Sequence, residues 1–154
     1  GVLFNRNTKD LIRCPEGFEG AYIIPEGVST ICEGAFRACA NLTEVHMPDS
    51  IISLKNWAFI DCVSLENVTI PPNVIDINYG SFMGCENLIS ISIPASVTKM
   101  GDAVFSMCLS LQFVSVDENK HITRNNKMQK AFDQIINQNW LHFNTIERVF
   151  EDEN

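Results

Sequence analysis

The segment Gly34–Pro48 reads GAFRACANLTEVHMP, and it returns as WAFIDCVSLENVTIP at Trp57–Pro71, GSFMGCENLISISIP at Gly80–Pro94 and AVFSMCLSLQFVSVD at Ala103–Asp117. The spacing is 23 residues each time, without an insertion. Phe36, Phe59, Phe82 and Phe105 form one column, Cys39, Cys62, Cys85 and Cys108 a second, and Leu42, Leu65, Leu88 and Leu111 a third. Val45, Val68, Ile91 and Val114, followed by Met47, Ile70, Ile93 and Val116, complete a run L-x-x-V-x-I. Its last part alternates with a period of two, as a half-buried strand does. One pattern written four times along a line suits a stacked repeat and not a catalytic site.

Cutting before each proline gives four units, Pro25–Met47, Pro48–Ile70, Pro71–Ile93 and Pro94–Val116. Two further apolar columns precede the phenylalanine: Val28, Ile51, Val74 and Val97, then Ile31, Leu54, Ile77 and Met100. A single unit therefore has two apolar sides and cannot bury both alone, so its neighbours must supply the missing contacts. Each fully buried Phe, Leu or aliphatic side chain contributes about 1.5 to 3 kcal/mol against chain entropy. The prolines follow the strand, where a missing N–H no longer interrupts a ladder, and PEGV, PDSI, PPNV and PASV read as the turns that reverse the chain. Asn41, Ser64, Asn87 and Ser110 form a polar column expected to satisfy backbone groups at the next bend.

These columns resemble the leucine-rich repeats of the BspA-like type, whose unit reads approximately I-G-x-x-A-F-x-x-C-x-x-L-x-x-V-x-I-P-x-S-V. The chain departs from it in two columns. The Gly after the first aliphatic survives only as Gly101, with Cys32, Lys55 and Asn78 elsewhere, and the Ala before Phe becomes Ser81 and Val104. The resemblance implies a right-handed solenoid with a parallel sheet on one face. It also implies a binding or adhesion module of surface or secreted proteins in bacteria and some protists, although a fold does not fix a function.

Three regions are expected: residues 1–24 as an N-terminal hairpin and partial coil, 25–116 as the four repeats, and 117–154 as a C-terminal helical cap or tail. At the front, GVLF and LIRCP flank the turn-rich NRNTKD, and Ala21–Ile24 take the strand position of a partial coil. At the back, Asp117 replaces the proline, and Met128, Ala131, Phe132, Ile135 and Ile136 recur at helical spacing. After NQN, Trp140, Phe143, Ile146, Val149 and Phe150 do so again. One long or two short amphipathic helices would cover the last coil, or dock a partner or a second copy.

Composition excludes several classes. The 154 residues are 45% hydrophobic and 19% charged, with a net charge of -8. That is a folding composition, and the 11 Lys and Arg are scattered singly, so no phosphate backbone finds a footprint. No apolar run is long enough to span a bilayer, and GVLFNRNTKD lacks the features of a signal peptide, which suggests a fragment or mature form.

Catalytic motifs are missing. The column cysteines lie 23 apart without a C-x-x-C pair, so neither a metal nor a cofactor is expected. In-register thiols point in parallel and do not easily reach the torsion of a disulfide, so they read as reduced, buried, small hydrophobes. Cys14 and Cys32 have no assigned place. His46, His121 and His142 belong to no nucleophile or metal motif. NLT at Asn41 and NVT at Asn67 match a glycosylation acceptor, yet Leu42 and Val68 are core columns. The candidate ligand face is the outward side of the strand run: Glu44, His46, Asn67, Thr69, Ser90, Ser92, Phe113 and Ser115. Phe113 stands where water is expected, either as a contact residue or packed under the C-terminal cap. The expected role is a non-enzymatic module binding a protein or glycan there, without nucleic acid or membrane insertion. Self-association through the C-terminal helices, and a structural spacer presenting a neighbouring domain, are the alternatives.

Overall fold

The computed structural model describes residues 1–116 and 147–149. Each 23-residue unit makes one coil with a strand on either side, and the coils stack into two six-stranded sheets. The L-x-x-V-x-I runs supply β5 (Asn41–His46), β7 (Asn67–Thr69), β9 (Ser90–Ile93) and β11 (Phe113–Val116), with β3 (Glu19–Ile23) before them. All pair in parallel in this order, with Asn67 level with Ser90 and Ser90 level with Phe113. The register follows from the columns: a one-residue slip would turn Val68 and Ile91 outward.

The resemblance implies one sheet, whereas the coil also forms a second one opposite it. Two-residue strands β4 (Thr30–Ile31), β6 (Ser53–Leu54), β8 (Asp76–Ile77) and β10 (Lys99–Met100) pair in parallel. This second sheet begins with a hairpin, β1 (Leu3–Asn5) antiparallel to β2 (Asp10–Arg13), and β2 pairs with β4. The hairpin thus covers the front edge of the second sheet.

The turn signals act as read. In every coil the N–H three residues after the proline donates back to its carbonyl, for example Ile51 to Pro48 at 3.1 Å and Val74 to Pro71 at 3.2 Å. After the second sheet the chain makes an arc around the phenylalanine, with one left-handed residue two places before it and another two places after it in each coil. These are Gly34 and Ala38, Trp57 and Asp61, Gly80 and Gly84, and Ala103 and Met107. That backbone turns alternate N–H groups along the stacking axis: Trp57 donates to Tyr79, Phe59 to Ser81 and Asp61 to Met83, at 2.7 to 2.9 Å. At the front, where no full coil precedes, the Arg13 guanidinium donates to Gly34 O at 2.8 Å.

The core lies between the sheets. Phe36, Phe59 and Phe82 are fully buried and stack nearly parallel with Phe105, ring centroids 4.8 to 5.9 Å apart and interplanar angles of 2 to 12°. Tyr22 and Phe18 prolong the series toward the front.

Two expectations change. Among the described residues the side chains of Asn41, Ser64, Asn87 and Ser110 bond to no backbone group; the ladder there is the main chain's own, Asn87 N–H to Val63 O and Ser110 N–H to Glu86 O. Glu147–Val149, read as part of a helix, is a strand (β12) parallel to β11, with Glu147 level with Phe113. The open edge of β11 offers a full set of main-chain partners, which outweighs a helical spacing of apolar residues. The rest of the helical reading, with His121 and His142, lies outside the described residues.

Candidate functional site

The parallel register arranges the outward side chains of the first sheet in two rows. One runs Glu44, Asn67, Ser90, Phe113, each level with the next on the neighbouring strand. The other brings Thr69 level with Ser92 and Ser92 level with Ser115, and His46 takes the corresponding place on β5. Neighbouring strands in a sheet lie about 4.8 Å apart, so each row repeats at that interval. Glu44, His46, Asn67 and Thr69 are exposed, Ser90 and Ser92 half-buried. Phe113 is 43% exposed, so it presents much of its ring to solvent. Ahead of both rows β3 places Ala21 beside Glu44 and Ile23 beside His46, and Ile23 is 72% exposed.

Two contacts fix side chains within the rows. Glu44 and His46 approach at 3.2 Å, and Ser90 Oγ donates to Asn67 Oδ1 at 2.7 Å. The second leaves the Asn67 amide nitrogen directed by its partner. With both ends of the Glu44–His46 pair about half exposed, solvent screens it, and it orients the imidazole more than it stabilises the fold. What the face can do chemically is donate and accept hydrogen bonds along a line that runs from the Glu44 carboxylate to an aromatic ring.

The cysteine column has a role that the sequence hides. Cys62 Sγ–H donates to Phe36 O at 3.0 Å, Cys85 to Phe59 O at 3.2 Å and Cys108 to Phe82 O at 3.1 Å, each reaching into the coil before. Cys39 does the same to Pro15 O at 3.5 Å, and the buried Cys14 stands beside it at the head of the series. All six thiols are unpaired. Burial pushes the Cys39 and Cys108 thiols up to about 12, and raises those of Cys14, Cys62 and Cys85 too. A thiol held protonated is a poor nucleophile and a poor metal ligand. Among the described residues no three His, Cys, Asp or Glu side chains gather as a metal site would require.

The repeat, its register and its two-sided core can now be set against known proteins. The model of the BspA type leucine-rich repeat region matches residues 20–144 in six copies. The chain belongs to this family. The BspA-type match runs past Val116, where the strict columns end. Beyond it Ala131, Phe132 and Ile135 keep the A-F-x-x-C spacing with Ile in the cysteine column, a signal that the helical reading passed over.

Solved structures with this fold include a leucine-rich repeat protein from Bacteroides capillosus, 35% identical with a TM-score of 0.65, covering 76% of this chain and 93% of that one. A leucine-rich cell surface protein from Faecalibacterium prausnitzii is 28% identical with a TM-score of 0.53, covering 92% of this chain and 39% of that one. The pneumococcal vaccine antigen PcpA is 22% identical with a TM-score of 0.74, covering 78% of this chain and 30% of its own length. The chain thus spans less than a third of PcpA. A comparison with curated proteins finds no match. BspA-type repeats and their structural neighbours are generally non-enzymatic, and a repeat module of this kind is consistent with an interaction role.

Proposed function

We propose that this chain is a non-enzymatic binding module whose first-sheet face, Glu44, His46, Asn67, Thr69, Ser90, Ser92, Phe113 and Ser115, recognises a protein or glycan on a surface-displayed or secreted protein. The observation that carries the reading is the pair of level rows. They hold carboxylate, imidazole, amide, hydroxyl and aromatic groups at a constant spacing, and such an array fits an extended, hydrogen-bonding ligand. Surface display is supported by the BspA-type match and by the cell surface protein and pneumococcal antigen among the structural neighbours. The column thiols serve stacking, which leaves them without a catalytic task.

The test is binding of the domain to immobilised extracellular-matrix proteins and to a glycan array, beside a folded variant carrying Glu44→Ala, His46→Ala and Phe113→Ala. Saturable binding that the variant loses is the expected result. Equal binding by both proteins moves the site off this face, and absence of binding by either favours a spacer that presents a neighbouring domain.

A further inference from the structure

Thiols one full coil apart point in parallel and are poorly placed to join. Cys14 breaks that geometry, because it stands in the phenylalanine column and not in the cysteine column. Its N–H donates to Ala35 O at 2.7 Å, as Phe36 donates to Ala58 O, Phe59 to Ser81 O and Phe82 to Val104 O, at 2.7 to 3.0 Å. Each of these acceptors is the residue just before the next phenylalanine. The Cys14 carbonyl likewise takes the place of the Phe36, Phe59 and Phe82 carbonyls, which receive the thiol of the following coil. Cys39 Sγ stands 3.9 Å from it and 3.5 Å from Pro15 O.

Where the later coils put a ring, the partial front coil thus puts a second sulfur. Cys14 and Cys39 are hydrogen-bonded side chain to side chain, and both are fully buried. The remaining column thiols turn to main-chain carbonyls, and Cys32 lies beside Asp10 and Lys55.

The pair also sits where the core is least regular. Cys14 directly follows β2, where the chain leaves the hairpin for β3. With no phenylalanine in that place, Phe36 meets Tyr22 at a tilted 58° instead of a parallel ring. A bond from Cys14 to Cys39 closes a loop that carries β3 and β4.

We propose that Cys14 and Cys39 join as a disulfide in an oxidising environment, and that this bond staples the N-terminal hairpin and partial coil to the stack. The oxidant is a low-molecular-weight disulfide of the glutathione type. One protein thiolate attacks it, forming a mixed disulfide and releasing one glutathione thiol. The other protein thiolate then attacks the protein sulfur of the mixed disulfide and releases the second. Two protein S–H bonds and one glutathione S–S bond are lost, and one protein S–S bond and two glutathione S–H bonds are gained. Burial raises both thiols, so the exchange takes place before the front closes over them or when the hairpin end lifts. Once covered, the bond is shielded from reductants. Disulfides persist outside the cell, so the setting of the bond rests on the surface reading while its formation is tested apart from it.

The test begins with the reduced 154-residue chain, unfolded in urea, refolded into a glutathione redox buffer, alkylated and mapped by mass spectrometry. The expected product is one intramolecular disulfide joining Cys14 and Cys39, with the other thiols alkylated. At the same glutathione ratio the bond should form at least about tenfold less in concentrated urea, since only the fold brings these two sulfurs together. The oxidised protein should melt about 5 °C or more above the reduced one. Cys14→Ser and Cys39→Ser should each abolish that difference. A refolded protein in which all six thiols are alkylated, a bond that joins other cysteines, or an oxidised protein no more stable than the reduced one overturns the proposal. None of these outcomes bears on ligand binding by the first-sheet face, which is read separately.

Discussion

Replacing Cys62 by Ser and by Ala separates two accounts of the cysteine column. If the thiol were only a small hydrophobe, Ala would be the gentler change, because Ser would bury a hydroxyl at a cost of about 1 to 3 kcal/mol. The geometry predicts the opposite order. Cys62 Sγ lies 3.0 Å from Phe36 O, a carbonyl that also accepts the Cys39 N–H at 3.1 Å, so a serine hydroxyl finds an acceptor already in place. Ala loses that hydrogen bond, about 1 kcal/mol, and about another 1 kcal/mol for the vacated sulfur volume. Ser retains the bond and loses only apolar transfer energy and a little packing, about 1 kcal/mol. Urea unfolding of Cys62→Ser, Cys62→Ala and the matching Cys85 pair, read at constant m-value, gives the sign directly. Ser less stable than Ala at both positions would refute the hydrogen-bond account.

Other outcomes follow from the same coordinates. Gly84→Ala should destabilise by about 1 to 2 kcal/mol, since φ is 74° and the new Cβ would meet the Asp61 carboxylate; adding Asp61→Gly should recover the steric part but not the backbone part, as a double-mutant cycle would show. Phe59→Ala should cost about 3 to 5 kcal/mol and more than Phe105→Ala, because Phe59 stacks between two rings while Phe105 stacks on Phe82. Stability should fall as pH rises above 9, the unfolded thiol value, toward the folded values near 12: the unfolded chain then releases protons that the folded chain keeps. Each buried column thiol contributes about 1.4 kcal/mol of loss per pH unit in that window, and Cys→Ser variants should flatten the alkaline limb of a melting-temperature profile.

The columns were readable because burial acts on side chains and repeats with the coil. Val68 and Ile91 must face inward in every unit, and the register of the first sheet comes from that demand alone. The left-handed arc was not readable, although it recurs as faithfully as the phenylalanines. Its first column holds Gly34, Trp57, Gly80 and Ala103, and its second Ala38, Asp61, Gly84 and Met107. Gly fills only two places of the first column and one of the second, because the conformation is imposed by N–H groups bonded to the next coil more than by local preference. The second sheet escaped for a different reason: strands as short as Ser53–Leu54 cannot display an alternation. The outward rows from Glu44 to Phe113 were legible, since alternation about Val45, Val68, Ile91 and Val114 leaves them no other direction. Val149 misled because helical spacing over a short stretch carries no information about an open sheet edge nearby.

The hydrogen bonds that join the coils, such as Phe59 N–H to Ser81 O, lie along the stacking axis. A pull on the two ends of the stack enters each terminal coil through its backbone and runs along these bonds, so it peels a coil from its neighbour bond by bond. The array resists tension as a chain of equal links. When one coil lets go it releases its 23 residues, roughly 80 Å of extended chain. A tether built of such links would lengthen by fixed increments under load and shorten again as each coil restacks.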